Sequence, residues 1–115
     1  MTVTIYHNPR CSKSRETLAL LESRGLAVKV IEYLKSPPDK RQLAKILKLL
    51  GMKPREVIRK NESEYRDLKL DDERLTDAGL IDAIVAHPVL MQRPIVLANG
   101  KAAIGRPPED VLAIL

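Results

Sequence analysis

Two short β-branched runs bracket a helical stretch at the start of the chain, and this pattern limits the fold more than any other feature. Val3-Thr4-Ile5-Tyr6 predicts a strand that stops at Asn8-Pro9, a loop signal. From Ser12 to about Gly25 the chain predicts a helix. Leu18 and Leu21 form an apolar stripe, Glu16 falls in the first turn, and Gly25 suits the position after the last turn. Val28 to Tyr33 is again rich in β-branched residues and predicts a second strand. Strand, helix and strand within about 30 residues make a βαβ unit, which pairs its strands in parallel through a right-handed crossover.

The middle of the chain predicts helices. Ser36-Pro37-Pro38-Asp39 predicts a helix start, with Ser36 as N-cap and proline at the first helical position. Leu43, Ile46, Leu47 and Leu50 then recur at i, i+3, i+4 and i+7, and Gly51 closes the run. Pro54 opens a short helix that is expected to carry Arg59. Residues 61–72 are polar and charged, with Tyr65, Leu68 and Leu70 as expected anchors. Thr76 caps a further helix with an apolar face of Leu80, Ile81, Ile84 and Val85, ending near His87-Pro88. Beyond it, Ile95–Ala98 and Lys101–Ile104 flank Asn99-Gly100, the signal for a two-residue type I′ hairpin. A last helix is expected from about Pro108, with Val111, Leu112 and Leu115 facing inward. The reading is α/β: a βαβ unit, a helical segment, then ββα, in a single domain over residues 1–115.

Composition narrows the functional classes. The chain of 115 residues carries three Tyr and no Phe or Trp, so its core must be aliphatic. The same scarcity removes the aromatic platforms on which single-stranded nucleic acids stack. A net charge of +5 without a basic tail suits a small anion better than a nucleic acid, and no nucleic-acid partner is expected. No run of apolar residues is long enough for a membrane span, no signal peptide is visible, and no membrane partner is expected. One cysteine excludes an intrachain disulfide and suits a reducing cytoplasm. Two His and one Cys lack metal-ligand spacing, so no metal site is expected. No heptad seam runs long enough for a coiled coil, and a monomer is expected.

The chemistry concentrates at Cys11. It lies where the first strand hands over to the first helix, beside backbone N–H groups that have no intrahelical partner. The helix macrodipole adds partial positive charge there, and both effects favour a thiolate. Arg10, Lys13 and Arg15 add positive potential, and His7 could add more or accept the thiol proton. The same helix start is a ready anion site. A thiolate beside an anion site can attack a tetrahedral oxyanion. The alternative, an inert buried thiol, fits poorly with the polar neighbours Arg10, Ser12 and Lys13.

The stretch from Ile5 to Arg15, Ile-Tyr-His-Asn-Pro-Arg-Cys-Ser-Lys-Ser-Arg, resembles the glutaredoxin-dependent arsenate reductase family. Ile58-Arg59-Lys60-Asn61, Arg93-Pro94-Ile95-Val96 and Gly105-Arg106-Pro107-Pro108 agree with the same family, in family order. The resemblance implies a thioredoxin-like fold: a mixed four-stranded sheet flanked by helices, with an inserted helical segment. It implies Cys11 as nucleophile, and Arg59, Arg93 and Arg106 as ligands of the arsenic oxyanion. It also implies His7 as an aid to thiol activation, Ser14 as a hydrogen-bonding support near the cysteine, and a cis Arg93-Pro94 bond. It further implies glutathione as co-substrate, glutaredoxin as partner, and no bound cofactor. Ser14 stands where a CxxC motif would hold a second thiol, so an external thiol must resolve any Cys11 adduct. Three other readings remain open: a glutathione-dependent thiol reductase of the same fold, a Spx-type regulator that binds RNA polymerase, and a non-catalytic anion-binding module.

Overall fold

A computed structural model describes residues 2–115; Met1 lies outside them. The chain divides into two compact units. One is the chain through Ser36 together with Arg93–Leu115, and the other is Pro37–Gln92.

The first unit holds β1 (Val3–His7), α1 (Ser12–Ser23), β2 (Val28–Glu32), β3 (Ile95–Ala98) and β4 (Lys101–Ile104). They form the expected mixed four-stranded sheet in the order β2-β1-β3-β4. β1 and β2 run parallel, with Val3 opposite Val28 and His7 opposite Glu32. β3 lies antiparallel to β1, with Val96 opposite Ile5, and β4 lies antiparallel to β3. The β3–β4 turn has Asn99 at φ 55° and Gly100 at φ 71°, the pair of positive angles that a type I′ hairpin requires.

The core of this unit is aliphatic. Val3 and Ile5 of β1 and Val96 and Ala98 of β3 pack with Leu21 of α1 and with Val111 and Ile114. Val111 faces inward as expected, and Leu115 packs half-buried against this core, but Ile114 takes the place expected for Leu112, which is only half-buried. Pro108–Ile114 is a 3-10 helix rather than an α-helix. Three residues per turn stack Val111 directly over Ile114.

The second unit comprises α2 (Lys40–Leu50), α3 (Pro54–Val57), α4 (Ser63–Asp67), α5 (Asp77–Ala86) and a 3-10 turn at Pro88–Leu90. Its helices bury Leu43, Ile46 and Leu47 of α2, Val57 of α3, and Leu80 and Ile84 of α5. Helix α2 starts later than expected, because Asp39 is the cap and not Ser36. The Asp39 carboxylate accepts the Gln42 N–H at 2.7 Å, and the Gln42 side chain accepts the Asp39 N–H at 2.9 Å. This reciprocal box satisfies two donors. Ser36 does not do the same: the N–H three residues on belongs to Asp39 and is taken by the Gln42 side chain, and Pro37, as the residue before a proline, avoids helical angles.

Two further expectations need correction. Arg59 does not ride on α3, which ends at Val57. Ile58 is extended and bridges Met91, with the Arg59 N–H donating to the Leu90 carbonyl at 2.7 Å. Leu68 is 43% exposed, whereas Leu70 is buried as expected. Lys69, at φ 54°, turns the chain between them.

Candidate active site

The parallel pairing of β1 and β2 brings both carboxyl ends to one edge of the sheet, the edge where α/β folds gather functional groups. The loop from Asn8 to Cys11 leaves β1 there. Asn8 ties it together. Its carbonyl accepts the Cys11 N–H at 3.0 Å, and its side-chain oxygen accepts the Arg10 N–H at 3.0 Å. Arg15 donates to the Pro9 carbonyl at 3.0 Å and braces the loop from α1.

Cys11 occupies the N-cap position of α1 in an extended conformation, and its carbonyl accepts the first helical N–H from Arg15. It makes no side-chain cap of standard geometry, yet the Ser14 N–H lies near enough to favour charge on the sulfur. Burial pushes the Cys11 thiol up. The Ser14 backbone N–H, a hydrogen bond from Arg93 and the positive charge of Arg106 and Arg93 together outweigh it. The net effect holds the thiol below its ordinary range, as a nucleophile requires.

Arg106 is built into this arrangement. Its Nη2 lies 3.5 Å from Cys11 Sγ, and its Nε donates to the Arg93 carbonyl at 2.7 Å. One guanidinium therefore fixes the strand entry and faces the sulfur at once, a geometry that suits a planar fork of donors. Two arginines against one thiolate leave an excess positive charge, which an incoming oxyanion can neutralise. The bonds Arg93-Pro94 and Arg106-Pro107 are both cis, and the family resemblance implies only the first. Gly105, between these segments, leaves no room for a side chain. A Cβ there would come 2.5 Å from Thr17 Oγ1 of α1 and 2.9 Å from Pro94 Cγ.

His7 and Ser14 support the loop from below. Ser14 is fully buried; its hydroxyl accepts the Asn8 N–H at 3.0 Å and lies 2.6 Å from His7 Nδ1. His7 thus reaches the cysteine loop through Ser14. Burial lowers the His7 pKa; Glu32 and Glu22 oppose this and Arg15 reinforces it. The neutral imidazole that results suits the short contact with Ser14.

Tyr33 also belongs to this site, although its sequence position marks it only as the end of a strand. It is wholly buried, one residue beyond β2, where continuing the His7–Glu32 register sets it opposite Asn8. Burial pushes its hydroxyl up in pKa against the pull of Arg93 and Asn8, so it is a neutral phenol beside the Arg93 guanidinium. That register was the available signal.

The structure brings Cys11, Arg93, Arg106, His7 and Ser14 together in the first unit. Arg59 lies in the second. There its Nε pairs with Glu62 at 3.1 Å, and its Nη1 donates to Gln92 at 2.9 Å. Among the described residues no group of three or more His, Cys, Asp and Glu side chains comes together as metal ligands. Among the same residues no helix is long and apolar enough to cross a membrane.

The family model for ArsC matches residues 6–114. The chain is 55% identical over 114 residues to a protein of Escherichia coli named "Uncharacterized protein YfgD", covering 98% of this chain and 96% of that one. It is 50% identical over 114 residues to a Neisseria meningitidis protein named arsenate reductase, covering 98% and 97% of the two chains. A solved structure called arsenate reductase from Vibrio cholerae superposes with a TM-score of 0.98 at 51% identity, covering 100% of this chain and 98% of that one.

Proposed function

The chain belongs to the ArsC family, and from that premise we propose that it reduces arsenate to arsenite with Cys11 as nucleophile. The observation that carries this reading is the pairing of a sulfur held below its ordinary pKa with Arg106 Nη2 at 3.5 Å. The Cys11 thiolate attacks arsenic(V), a sulfur–arsenic bond forms, and one arsenate oxygen leaves as water. Arg93 and Arg106 hold the remaining oxygens and offset their charge as the bond forms. Arg59 is carried into the same role by the family resemblance alone.

With a single thiol in the chain, the reducing equivalent must come from outside. Glutathione attacks the Cys11 sulfur, and the sulfur–arsenic bond breaks with its electron pair left on arsenic. Arsenic(V) becomes arsenite, and the two thiols are oxidised to one mixed disulfide. Glutaredoxin then takes the glutathione by thiol exchange and regenerates Cys11. No group bound to the protein takes part, and a cytoplasmic pool of reduced glutathione supplies the reaction.

The test is NADPH oxidation coupled through glutathione reductase, with arsenate, glutathione and glutaredoxin. The native chain should turn over only with arsenate, Cys11→Ser should be inactive, and Arg106→Ala should lose most of its kcat/KM for arsenate. Full activity in Cys11→Ser overturns the reading. Disulfide reduction that needs Cys11 but tolerates Arg106→Ala would identify a thiol reductase instead.

A further inference from the structure

Beside the cysteine loop, and lined by neither Arg93 nor Arg106, lies a cleft of about 350 Å³. Its walls include His7, Arg10, Glu32, Leu34 and Lys35, all of the first unit. Its volume falls in the range of small-ligand sites. Leu34 and Lys35 have no part in the proposed chemistry at the sulfur, and Arg10 and Glu32 enter it only through the local potential.

We propose that this cleft docks the reducing co-substrate, a zwitterionic tripeptide thiol of the glutathione type. The inference rests on the proposed function and names the site for its second substrate.

Charge is the first argument. Such a thiol carries two carboxylates and one ammonium, for a net charge of −1. The cleft offers two cations, Arg10 and Lys35, and one carboxylate, Glu32, for a net charge of +1. Each ligand charge can meet an opposite one. Among the described residues no ion pair involves Arg10, so its guanidinium is available. Lys35 meets Glu32 at only 3.8 Å, with side chains 79% and 43% exposed. A surface pair of this kind contributes little and yields readily to a ligand.

Placement and apolar contact are the second argument. Leu34 is 46% exposed, an aliphatic surface for the methylenes of the tripeptide. Arg10 directly precedes Cys11, so their Cα atoms are about 3.8 Å apart. Cys11 itself does not line the cleft, so a tripeptide docked by a carboxylate at Arg10 must extend its thiol along the loop to the neighbouring sulfur. In that step a sulfur–sulfur bond forms, the sulfur–arsenic bond breaks, its electron pair stays on arsenic, and the thiol proton passes to an arsenite oxygen.

The test uses the full chain and two charge reversals, Arg10→Glu and Lys35→Glu, singly and together. The KM for glutathione should rise roughly tenfold in the double variant and by a smaller factor in Lys35→Glu, while the KM for arsenate stays within about twofold in Lys35→Glu, whose charge has no part at the sulfur. The ratio of glutathione-driven to dithiothreitol-driven turnover should fall by the same factor, because dithiothreitol carries no charge to be recognised. Lys35→Arg should keep the native ratio. A direct readout needs no turnover: S-methylglutathione should shift the backbone amides of Arg10, Leu34 and Lys35, and the double variant should abolish those shifts. An unchanged glutathione KM, or amide shifts confined to other residues, overturns the docking site. Absence of arsenate turnover with either thiol overturns the proposed function instead, and the amide titration still decides the docking site.

Discussion

The guanidinium of Arg106 spans two groups: Nη2 stands 3.5 Å from Cys11 Sγ, and Nε donates to the Arg93 carbonyl at 2.7 Å. The residue that stabilises the thiolate therefore also sets the backbone of a second arginine facing the same sulfur. Truncating it should weaken both. In Arg106→Ala, the rate of Cys11 alkylation by iodoacetamide should rise with pH through a higher midpoint than in the native chain. The sign follows from the depressed thiol pKa: thiolate persists in the native protein at pH values where the variant is already protonated. Arg106→Lys should fall between the two, because an ammonium cannot hold both contacts in one plane. An alkylation profile that does not move in Arg106→Ala would contradict this account of the sulfur.

Ser14 should matter more for stability than its size suggests. Ser14→Ala leaves the buried Asn8 N–H and the His7 Nδ1 without the hydroxyl they share. Leaving buried polar groups unsatisfied costs about 1–3 kcal/mol. Urea denaturation should show a loss in that range with an unchanged m-value. A loss below about 0.5 kcal/mol would mean that water replaces the hydroxyl.

His7 should titrate below the ordinary imidazole value of 6.5, since burial lowers its pKa. A base with a depressed folded-state pKa stabilises the fold fully above its unfolded pKa, and that contribution is lost as pH falls through the folded value. Native stability should therefore decline on acidification below about pH 6.5, and this component should be missing in His7→Asn. Imidazole NMR shifts followed against pH report the midpoint directly. A midpoint at or above 6.5 would contradict the burial argument.

Much of the fold was legible because its signals are local. The β-branched runs of β1 and β2, the i, i+3, i+4 spacing in α2, and Asn99-Gly100 each act within a few residues, and each formed as expected. The corrections arose where several local signals competed. Ser36 and Asp39 both suit a cap, and the reciprocal partner Gln42 together with the non-helical bias of Pro37 before Pro38 favours Asp39. Pro108 does open a helix, but of 3-10 geometry, in which Val111 and Ile114 lie one turn apart in the core.

The site was legible only in part. Cys11 stands out by its position between a strand and a helix. The contact from Arg106, 95 residues away, is a product of tertiary structure. The positions of Arg93 and Arg106 in the reading came from a family resemblance and not from periodicity. Tyr33 carries no such mark in the sequence, because a buried tyrosine at a strand end looks like core; the parallel register sets it opposite Asn8, and tertiary structure brings Arg93 to it.

The central claim is that arsenate reduction passes through oxidation of Cys11. Intact-protein mass spectrometry tests it most directly, on the native chain incubated with arsenate and glutathione and without glutaredoxin. The account predicts a glutathione mixed disulfide at Cys11, formed only when arsenate is present, with one arsenite released per disulfide. Arsenite accumulating while Cys11 remains a free thiol would contradict it, as would a mixed disulfide that forms equally well without arsenate.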